Sequence, residues 1–130
     1  MMQKSLLVVD DFDSLGEILG NLGASFGWNA TLSQNAQDAL EQLEHESPAV
    51  ILLNMRMAIL SGFELARMLK QHSVYRNIPI LGTSADPSAT MRRRCLAAGC
   101  DDFIAKPFSA IALHQRLTFL SSALQAAEIR

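Results

Sequence analysis

The sequence predicts a three-layer α/β fold in which a five-stranded parallel sheet is covered by helices on both faces. Five short apolar runs alternate with longer segments in which apolar residues recur at helical spacing. Three of the runs are rich in Val, Ile and Leu without polar alternation, which is typical of strands covered on both faces. Because strand and helix alternate strictly, right-handed crossovers should make all strands parallel. The predicted strands are 6–9, 30–32, 50–53, 78–82 and 103–105, and the predicted helices are 13–26, 34–46, 62–72, 87–98 and 109–125.

Length and composition fit a single domain, residues 1–130, with its core over about residues 4–125. The chain has 130 residues, of which 49% are hydrophobic, so it is long enough to bury a substantial core. Charged residues make up 18% and the formal net charge is -2, which implies neither a nucleic acid nor a membrane surface as partner. The apolar run 49–53 is far shorter than the roughly 20 residues of a bilayer span. The N-terminal apolar run is too short for a signal peptide, so we expect a cytoplasmic protein.

Capping residues stand at the starts of three predicted helices. Asp13 or Ser14 can cap the first helix with a side-chain oxygen. Asp86 can cap the fourth, with Pro87 at the first helical position, where the missing N–H does no harm. Ser109 can cap the fifth.

Glycines mark two predicted helix ends, and the last helix has an apolar face. Gly27 ends the first helix, and Gly99 follows the fourth, where a left-handed conformation costs glycine little. The fifth helix should dock on the sheet through leucines at helical spacing. These are Leu113, Leu117, Leu120 and Leu124.

Polar side chains follow four of the predicted strands. Asp10 and Asp11 follow the first, Asn54 closes the third, Ser84 follows the fourth and Lys106 follows the fifth. In open parallel sheets, chemistry gathers outside the carboxyl ends of the strands, so these five groups should share one crevice. An acid pair, a hydroxyl and a lysine normally surround a carboxylate that accepts a phosphoryl group. Asn54 stands where that carboxylate is expected, and an amide is a very poor nucleophile.

Four segments together resemble a known family. They are VVDD at 8–11, ILLNMRMAILSGFEL at 51–65, IPILGTSA at 78–85 and DFIAKPF at 102–108. Gly62 falls eight residues after Asn54, and Lys106-Pro107 falls 22 after Ser84, as the family pattern requires. On these residues the chain resembles, over essentially its whole length, the receiver domain of bacterial two-component response regulators.

The resemblance implies a flavodoxin-like (βα)5 topology and a role for each pocket residue. By it, the phosphoacceptor position falls on Asn54, and the domain would be a signalling module rather than an independent enzyme. The implied ligands of Mg²⁺ are the carboxylates of Asp10 and Asp11 and the backbone carbonyl of Arg56. The implied switch hydroxyl is Ser84 and the implied switch aromatic is Phe103. Lys106 would contact the phosphoryl group.

Two residues depart from the family pattern within its most diagnostic segment. The acceptor aspartate is replaced by Asn54, and the proline usual four residues later is replaced by Ala58, so the loop loses a fixed φ. Replacing a carboxylate by an amide also removes one negative charge from the pocket. Because three charges attract a divalent cation better than two, we expect weak or absent Mg²⁺ binding and no other cofactor.

Arg56 and Asp86 should lie at the mouth of the pocket. They follow Asn54 and Ser84 by two residues each. One hypothesis is an ion pair between them, or between Arg56 and the acidic pair, that partly blocks small phosphodonors. We favour the alternative that both are solvated loop charges, because exposed pairs contribute only ~0–1 kcal/mol.

Other polar signals have structural interpretations. The spacing of Cys95 and Cys100 matches no redox or zinc motif, so buried free thiols are expected. The arginines at 92–94 form either a contact patch on the face made by helix four, strand five and helix five, or a solvated helix flank, which we favour. Solvated or helix-end roles are expected for the histidines His45, His72 and His114.

Three functions remain open at this point. The first is a degenerate receiver that acts through protein–protein interaction without aspartyl phosphorylation, supported by the pairing of Asn54 with Ala58. The second is an ordinary Mg²⁺-dependent receiver in which Asn54 was introduced experimentally. The third is a flavin or nucleotide carrier on the same sheet topology, which needs a phosphate-cradling loop after the first strand, where Asp10 and Asp13 would instead repel phosphate.

The expected partner is another protein. A sensor histidine kinase, an output domain or another signalling protein would bind the face made by helix four, strand five and helix five. A homodimer stays open, and neither nucleic acid nor membrane is expected to bind.

Overall fold

Five strands and five helices alternate along the chain. The computed structural model describes residues 4–11 and 15–129, and side chains as far as residue 122. The elements are β1 (Ser5–Val9), α1 (Gly16–Phe26), β2 (Asn29–Ser33), α2 (Ala36–His45), β3 (Val50–Asn54), α3 (Gly62–Gln71), β4 (Ile80–Ser84), α4 (Ala89–Ala97), β5 (Asp102–Ala105) and α5 (Ala110–Ile129).

The strands form one parallel sheet in the order β2-β1-β3-β4-β5. Val9 of β1 pairs with Leu53 of β3, so the two strands end almost level. The chain adds β2 on one side of β1 and β3 on the other, so the sheet has a topological switch point between β1 and β3. In open α/β sheets a crevice opens at the carboxyl edge of such a point. The predicted flavodoxin-like fold is confirmed.

Helices cover both faces of the sheet, and each face has its own core. Along β1, Leu6 and Val8 pack into one core, while Leu7 and Val9 pack into the other, as the two-residue period of a strand requires. The core under α1 and α5 includes Leu113, Leu117 and Leu120, so the predicted docking face of α5 is confirmed as far as side chains are described. The side chain of Leu124 lies outside the described residues. Among the described residues, no helix is long and apolar enough to cross a membrane.

Strand β4 begins two residues later than predicted. The predicted strand was 78–82, whereas β4 spans Ile80–Ser84. Pro79 offers no N–H to a ladder, and the N–H of Ile78 closes a turn on the carbonyl of Tyr75. The polar residues Thr83 and Ser84 continue the strand and are buried in it. Ser84 therefore ends β4 itself instead of lying two residues beyond it.

The predicted cap of α4 is also wrong. The helix begins at Ala89, and the hydroxyl of Ser88 accepts the N–H of Met91 at 3.1 Å. Asp86 instead accepts the main-chain N–H of Ser88 at 2.9 Å, a local turn that delays the helix. The Ser109 hydroxyl does cap α5 by accepting the N–H of Ala112. The proposed caps of α1, Asp13 and Ser14, lie outside the described residues.

Helix α4 ends in a motif that brings Cys95 and Cys100 together. Gly99 has a φ of 116°, and its N–H reaches the carbonyl of Leu96. The N–H of Cys100 reaches the carbonyl of Cys95, which completes a Schellman motif. An apolar contact between these two positions usually accompanies the motif, and here two buried thiols make it. Gly27, with a φ of 76°, ends α1 as predicted.

Candidate functional site

The centre of the site is Asp10, a carboxylate that is only 2% exposed at the end of β1. Its main-chain N–H donates to the carbonyl of Ser33 on the neighbouring strand, which fixes its position. The ammonium of Lys106 donates to Asp10 Oδ2 at 2.9 Å. The N–H of Lys106 in turn donates to the Ser84 carbonyl at 2.8 Å, so the lysine is anchored to β4. A buried charge needs such partners, and this pair joins the two strands β1 and β5 across the crevice.

Asn54 is the second buried polar group, at 8% exposure. Its amide nitrogen Nδ2 donates to Asp10 Oδ1 at 3.0 Å and to the Arg56 carbonyl oxygen at 3.0 Å. Its amide oxygen Oδ1 accepts the Arg56 main-chain N–H at 3.2 Å. These partners fix the orientation of the amide, because the flipped form would bring its oxygen against two acceptors and its nitrogen against a donor.

Asp11 is held by the loop that follows β3. Its Oδ2 accepts the main-chain N–H of Ala58 at 2.9 Å. A proline at position 58 would have no N–H, so this bond requires a residue other than proline there. The sequence contained the signal, a non-proline residue at 58, but the bond itself was not foreseen.

The buried Ser84 hydroxyl holds the main chain of Asp86, and the Asp86 side chain pairs with Arg56. Ser84 Oγ accepts the N–H of Asp86 at 3.1 Å. Arg56 and Asp86 form an ion pair at 3.3 Å, with 67% and 34% of their side chains exposed. The hypothesised ion pair between these two residues is therefore present, and the favoured alternative of two solvated loop charges is wrong; whether the pair hinders small phosphodonors stays a prediction. The Ser88 main-chain N–H and the Ser88 hydroxyl lower the pKa of Asp86, and Arg56 adds to the effect.

Close packing behind the pocket explains why Gly62 follows Asn54 at its fixed interval. A Cβ on Gly62 would overlap the main-chain oxygen of Asn54 and lie 2.6 Å from Met55 Cα. The N–H of Gly62 donates to the Met55 carbonyl at 3.1 Å. Helix α3 can therefore begin against the end of β3 only if that position has no side chain.

Phe103 is a packed strand aromatic, 4% exposed in the core under α3 and α4. Its carbonyl accepts a bond from Arg116 of α5. The switch role assigned by resemblance stays a prediction.

The structure brings three of the predicted polar side chains together, because Asp10 bonds to both Asn54 and Lys106. Asp11 is held instead by the main-chain N–H of Ala58. Ser84 is held by the main-chain N–H groups of Asp86 and Lys106.

The face made by α4, β5 and α5 is tied together by Asp102. Its carboxylate oxygens pair with Arg92 at 3.4 Å and Arg116 at 2.9 Å. Arg94 lies 4.4 Å from the ring centroid of Phe63. Arg92 and Arg94 are therefore partly engaged, and the simple solvated flank is an incomplete description.

His114 differs from its expected role. Its Nδ1 accepts the indole N–H of Trp28 at 3.0 Å, and its ring stacks on Phe26 at 4.0 Å. It therefore joins α5 to the segment between α1 and β2. His72 follows α3 and accepts the N–H of Val74, a helix-end role as predicted.

The described pocket does not fit a divalent cation as it stands. Within residues 4–11 and 15–129, no group of three His, Cys, Asp or Glu side chains is arranged to hold a metal. Asp10 Oδ1 and the Arg56 carbonyl, two of the oxygens implied as ligands, both receive an amide hydrogen from Asn54. The third implied ligand, Asp11, receives the Ala58 N–H.

Comparison with known proteins identifies the family. The response regulator receiver domain matches residues 6–118. The chain belongs to this family. The flavin or nucleotide carrier is therefore left without support.

Curated relatives of this receiver include regulators from several bacteria. The phosphate regulon transcriptional regulatory protein PhoB of Pseudomonas aeruginosa is 33% identical over 117 residues, which cover 90% of this chain and 51% of that protein. The polar-differentiation response regulator DivK of Brucella anthropi is 27% identical over 108 residues, which cover 83% and 88%. The chain spans about half the length of PhoB and of the MprA regulators it matches.

Solved structures give the same result. A putative response regulator from Chloroflexus aurantiacus superposes with a TM-score of 0.86 at 25% identity, covering 93% of this chain and 99% of that one. The receiver domain of sensor histidine kinase PA1611 from Pseudomonas aeruginosa gives 0.81 at 26% identity, covering 93% and 99%. That structure holds a magnesium ion coordinated in the active site cleft.

Proposed function

We propose that this receiver acts by binding other signalling proteins without being phosphorylated on aspartate. The observation that carries the proposal is the direction of the Asn54 amide. Asn54 takes the place of the phosphoacceptor, and its nitrogen donates to Asp10 and to the Arg56 carbonyl. The Asn54 side chain is therefore a neutral amide whose nitrogen donates and whose oxygen is already engaged, whereas phosphotransfer needs an anionic oxygen at that position.

The chemistry of phosphoryl transfer supports this conclusion. Transfer to a carboxylate requires an anionic oxygen in line with phosphorus and a hard cation on the equatorial oxygens. The Asn54 amide carries no charge, and its oxygen is engaged by the Arg56 N–H. The domain would accordingly have no phosphotransfer or dephosphorylation activity of its own, and we treat it as a non-enzymatic module.

The proposed docking surface is the α4–β5–α5 face. Asp102 pairs with Arg92 and Arg116 and so links α4, β5 and α5 across this face. Phe119, three residues after Arg116 on α5, is 68% exposed. A sensor histidine kinase, an output domain, another signalling protein or a second copy of the chain would bind there. The PA1611 structure is the receiver domain of a sensor histidine kinase, which supports a kinase-linked partner.

A second candidate is an ordinary receiver whose acceptor aspartate was replaced experimentally. The assembled Asp10–Lys106 pair and the Ser84 hydroxyl favour it, because the pair is retained in contact with Asn54 and Ser84 is buried at the end of β4. The Ala58 N–H to Asp11 bond favours the degenerate receiver, since a single introduced change at position 54 would leave that second departure unexplained.

Intact-mass spectrometry after incubation with Mg²⁺ and acetyl phosphate or phosphoramidate tests the proposal. The unchanged protein should gain no phosphoryl group, and a gain at any site would overturn the proposal. Asn54→Asp shows whether the rest of the pocket still works, because labelling there would mean that only the nucleophile is missing. Asn54→Asp combined with Asp10→Asn is the matched control and should remain unlabelled.

A further inference from the structure

Two acceptor oxygens face each other in the pocket with the Asn54 amide between them. They are Asp10 Oδ1 and the main-chain oxygen of Arg56, each 3.0 Å from Asn54 Nδ2. Oxygens that approach a common point repel unless something positive lies there. In this chain, the two polarised hydrogens of one NH₂ group fill that point.

We infer that the Asn54 carboxamide, together with the Ala58 N–H and the Lys106 ammonium, is a built-in substitute for a divalent cation. The inference rests on the proposed function, in which Asn54 takes the phosphoacceptor position. It goes further, because it states that the pocket is held in one arrangement by its own donors. The state of this receiver is then independent of Mg²⁺, and not merely unresponsive to phosphodonors.

The amide cannot simply turn aside to admit a cation. Turning Oδ1 toward the metal position would place Nδ2 against the Arg56 N–H, donor against donor, and would lose the 3.2 Å bond from that N–H. Asn54 is only 8% exposed, so water is poorly placed to compensate. A cation that takes Asp10 Oδ1 and the Arg56 carbonyl as ligands must therefore displace the three hydrogen bonds that hold the Asn54 amide in place.

Ala58 extends the same effect to the second acid. Its N–H holds Asp11 Oδ2 at 2.9 Å and so ties the carboxylate to the loop after β3. Lys106 holds Asp10 Oδ2 at 2.9 Å. Each of the two carboxylates thus has at least one oxygen engaged by a donor of the protein itself.

Thermal unfolding in EDTA and in millimolar MgCl2 tests the inference without any phosphodonor. Asn54→Ala removes the amide donor and changes no charge. The unchanged protein should melt at the same temperature in both buffers, within about 1 °C, whereas Asn54→Ala should melt lower in EDTA and regain roughly 5 °C in MgCl2. An Asn54→Ala protein that ignores Mg²⁺, or an unchanged protein that gains as much from it, would overturn the inference.

Thr83→Val is the matched control. Thr83 pairs with Asn54 in the sheet, is 1% exposed, and its hydroxyl has no hydrogen-bond partner among the described residues. Removing the Thr83 hydroxyl should leave the melting temperature the same in EDTA and in MgCl2. If this variant also responded, the response of Asn54→Ala would reflect general loosening of the pocket, and the inference would fall.

Calorimetric titration with MgCl2 decides the matter if Asn54→Ala does not fold. Asn54→Asp should bind Mg²⁺ at least tenfold more tightly than the unchanged protein, roughly 1.4 kcal/mol in binding free energy. Adding Ala58→Pro should tighten binding further, because it releases Asp11. Equal affinity of the unchanged protein and Asn54→Asp would refute the inference. It would leave the proposed function intact, because that function fails only if the unchanged protein becomes phosphorylated.

Discussion

Replacing Lys106 by methionine should destabilise the protein strongly, because it removes the cation beside a buried carboxylate. Asp10 is 2% exposed, and the Lys106 side chain is 19% exposed. Breaking a buried pair from one side costs about 3–5 kcal/mol, because the remaining charge is left uncompensated. Asp10 keeps its bond from Asn54 Nδ2, so we expect the lower end, about 3 kcal/mol. For a domain of this size, that corresponds to a fall of roughly 10 °C in melting temperature.

Urea unfolding measures the loss directly. Trp28 is the one tryptophan of the sequence and is 4% exposed, so its fluorescence reports the transition. Arg56→Met is the matched control, because it breaks an ion pair whose partners are both substantially exposed, and it should cost at most about 1 kcal/mol. Asp10→Asn combined with Lys106→Met should recover most of the stability lost by Lys106→Met alone. A loss below about 1 kcal/mol for Lys106→Met would refute the reasoning, because the pair would then behave like a surface salt bridge.

Three further predictions concern stability and thiol chemistry. Gly62→Ala should lower the free energy of unfolding by about 1–3 kcal/mol in urea, because its Cβ would overlap the main chain of Asn54; an unchanged value would show that α3 can move away. Local hydrogen bonds lower the folded pKa of Asp86 below 3.8, so its contribution to stability is present above that value and is lost as the pH falls through the folded pKa. The stability difference between the unchanged protein and Asp86→Ala should therefore shrink in acid, and a pH-independent difference would argue against this. The hydrogen bond with Cys95 and burial raise the pKa of Cys100, so its thiol should react with Ellman's reagent only after unfolding, and rapid reaction of the native protein would contradict its burial.

The fold could be predicted from the sequence because it depends on periodicity. Buried strands and amphipathic helices leave separate signals, and parallel pairing brings the strand ends to one edge. This is why Asp10, Asn54 and Lys106 were expected in one crevice, where they make direct contact. The predicted end of β4 was two residues too early because Thr83 and Ser84 are polar and yet buried, and their burial depends on neighbouring strands rather than on their own hydrophobicity.

Features that depend on side-chain orientation and on the path of a loop could not be predicted from the sequence. The cap of α4 falls on Ser88 because Asp86 closes a turn first, and both residues are good caps by type. The bond from Ala58 to Asp11 spans 47 positions and depends on how the loop after β3 passes the end of β1. The sequence around His114 did not indicate its contact with Trp28, because the two residues are 86 positions apart.

Asn54 and Ala58 act on the same physical quantity, the number of hydrogen-bond donors that the protein supplies to the pocket oxygens. An aspartate at position 54 would set a third anionic group against Asp10 Oδ1 and the Arg56 carbonyl, and a proline at 58 would leave Asp11 Oδ2 without its 2.9 Å partner. Each of these oxygens would then lose a donor that the protein now supplies. Asn54 and Ala58 each supply a donor where an aspartate and a proline would supply none. The substitution Asn54→Asp alone should therefore restore the nucleophile, while Asp11 stays bonded to the Ala58 N–H.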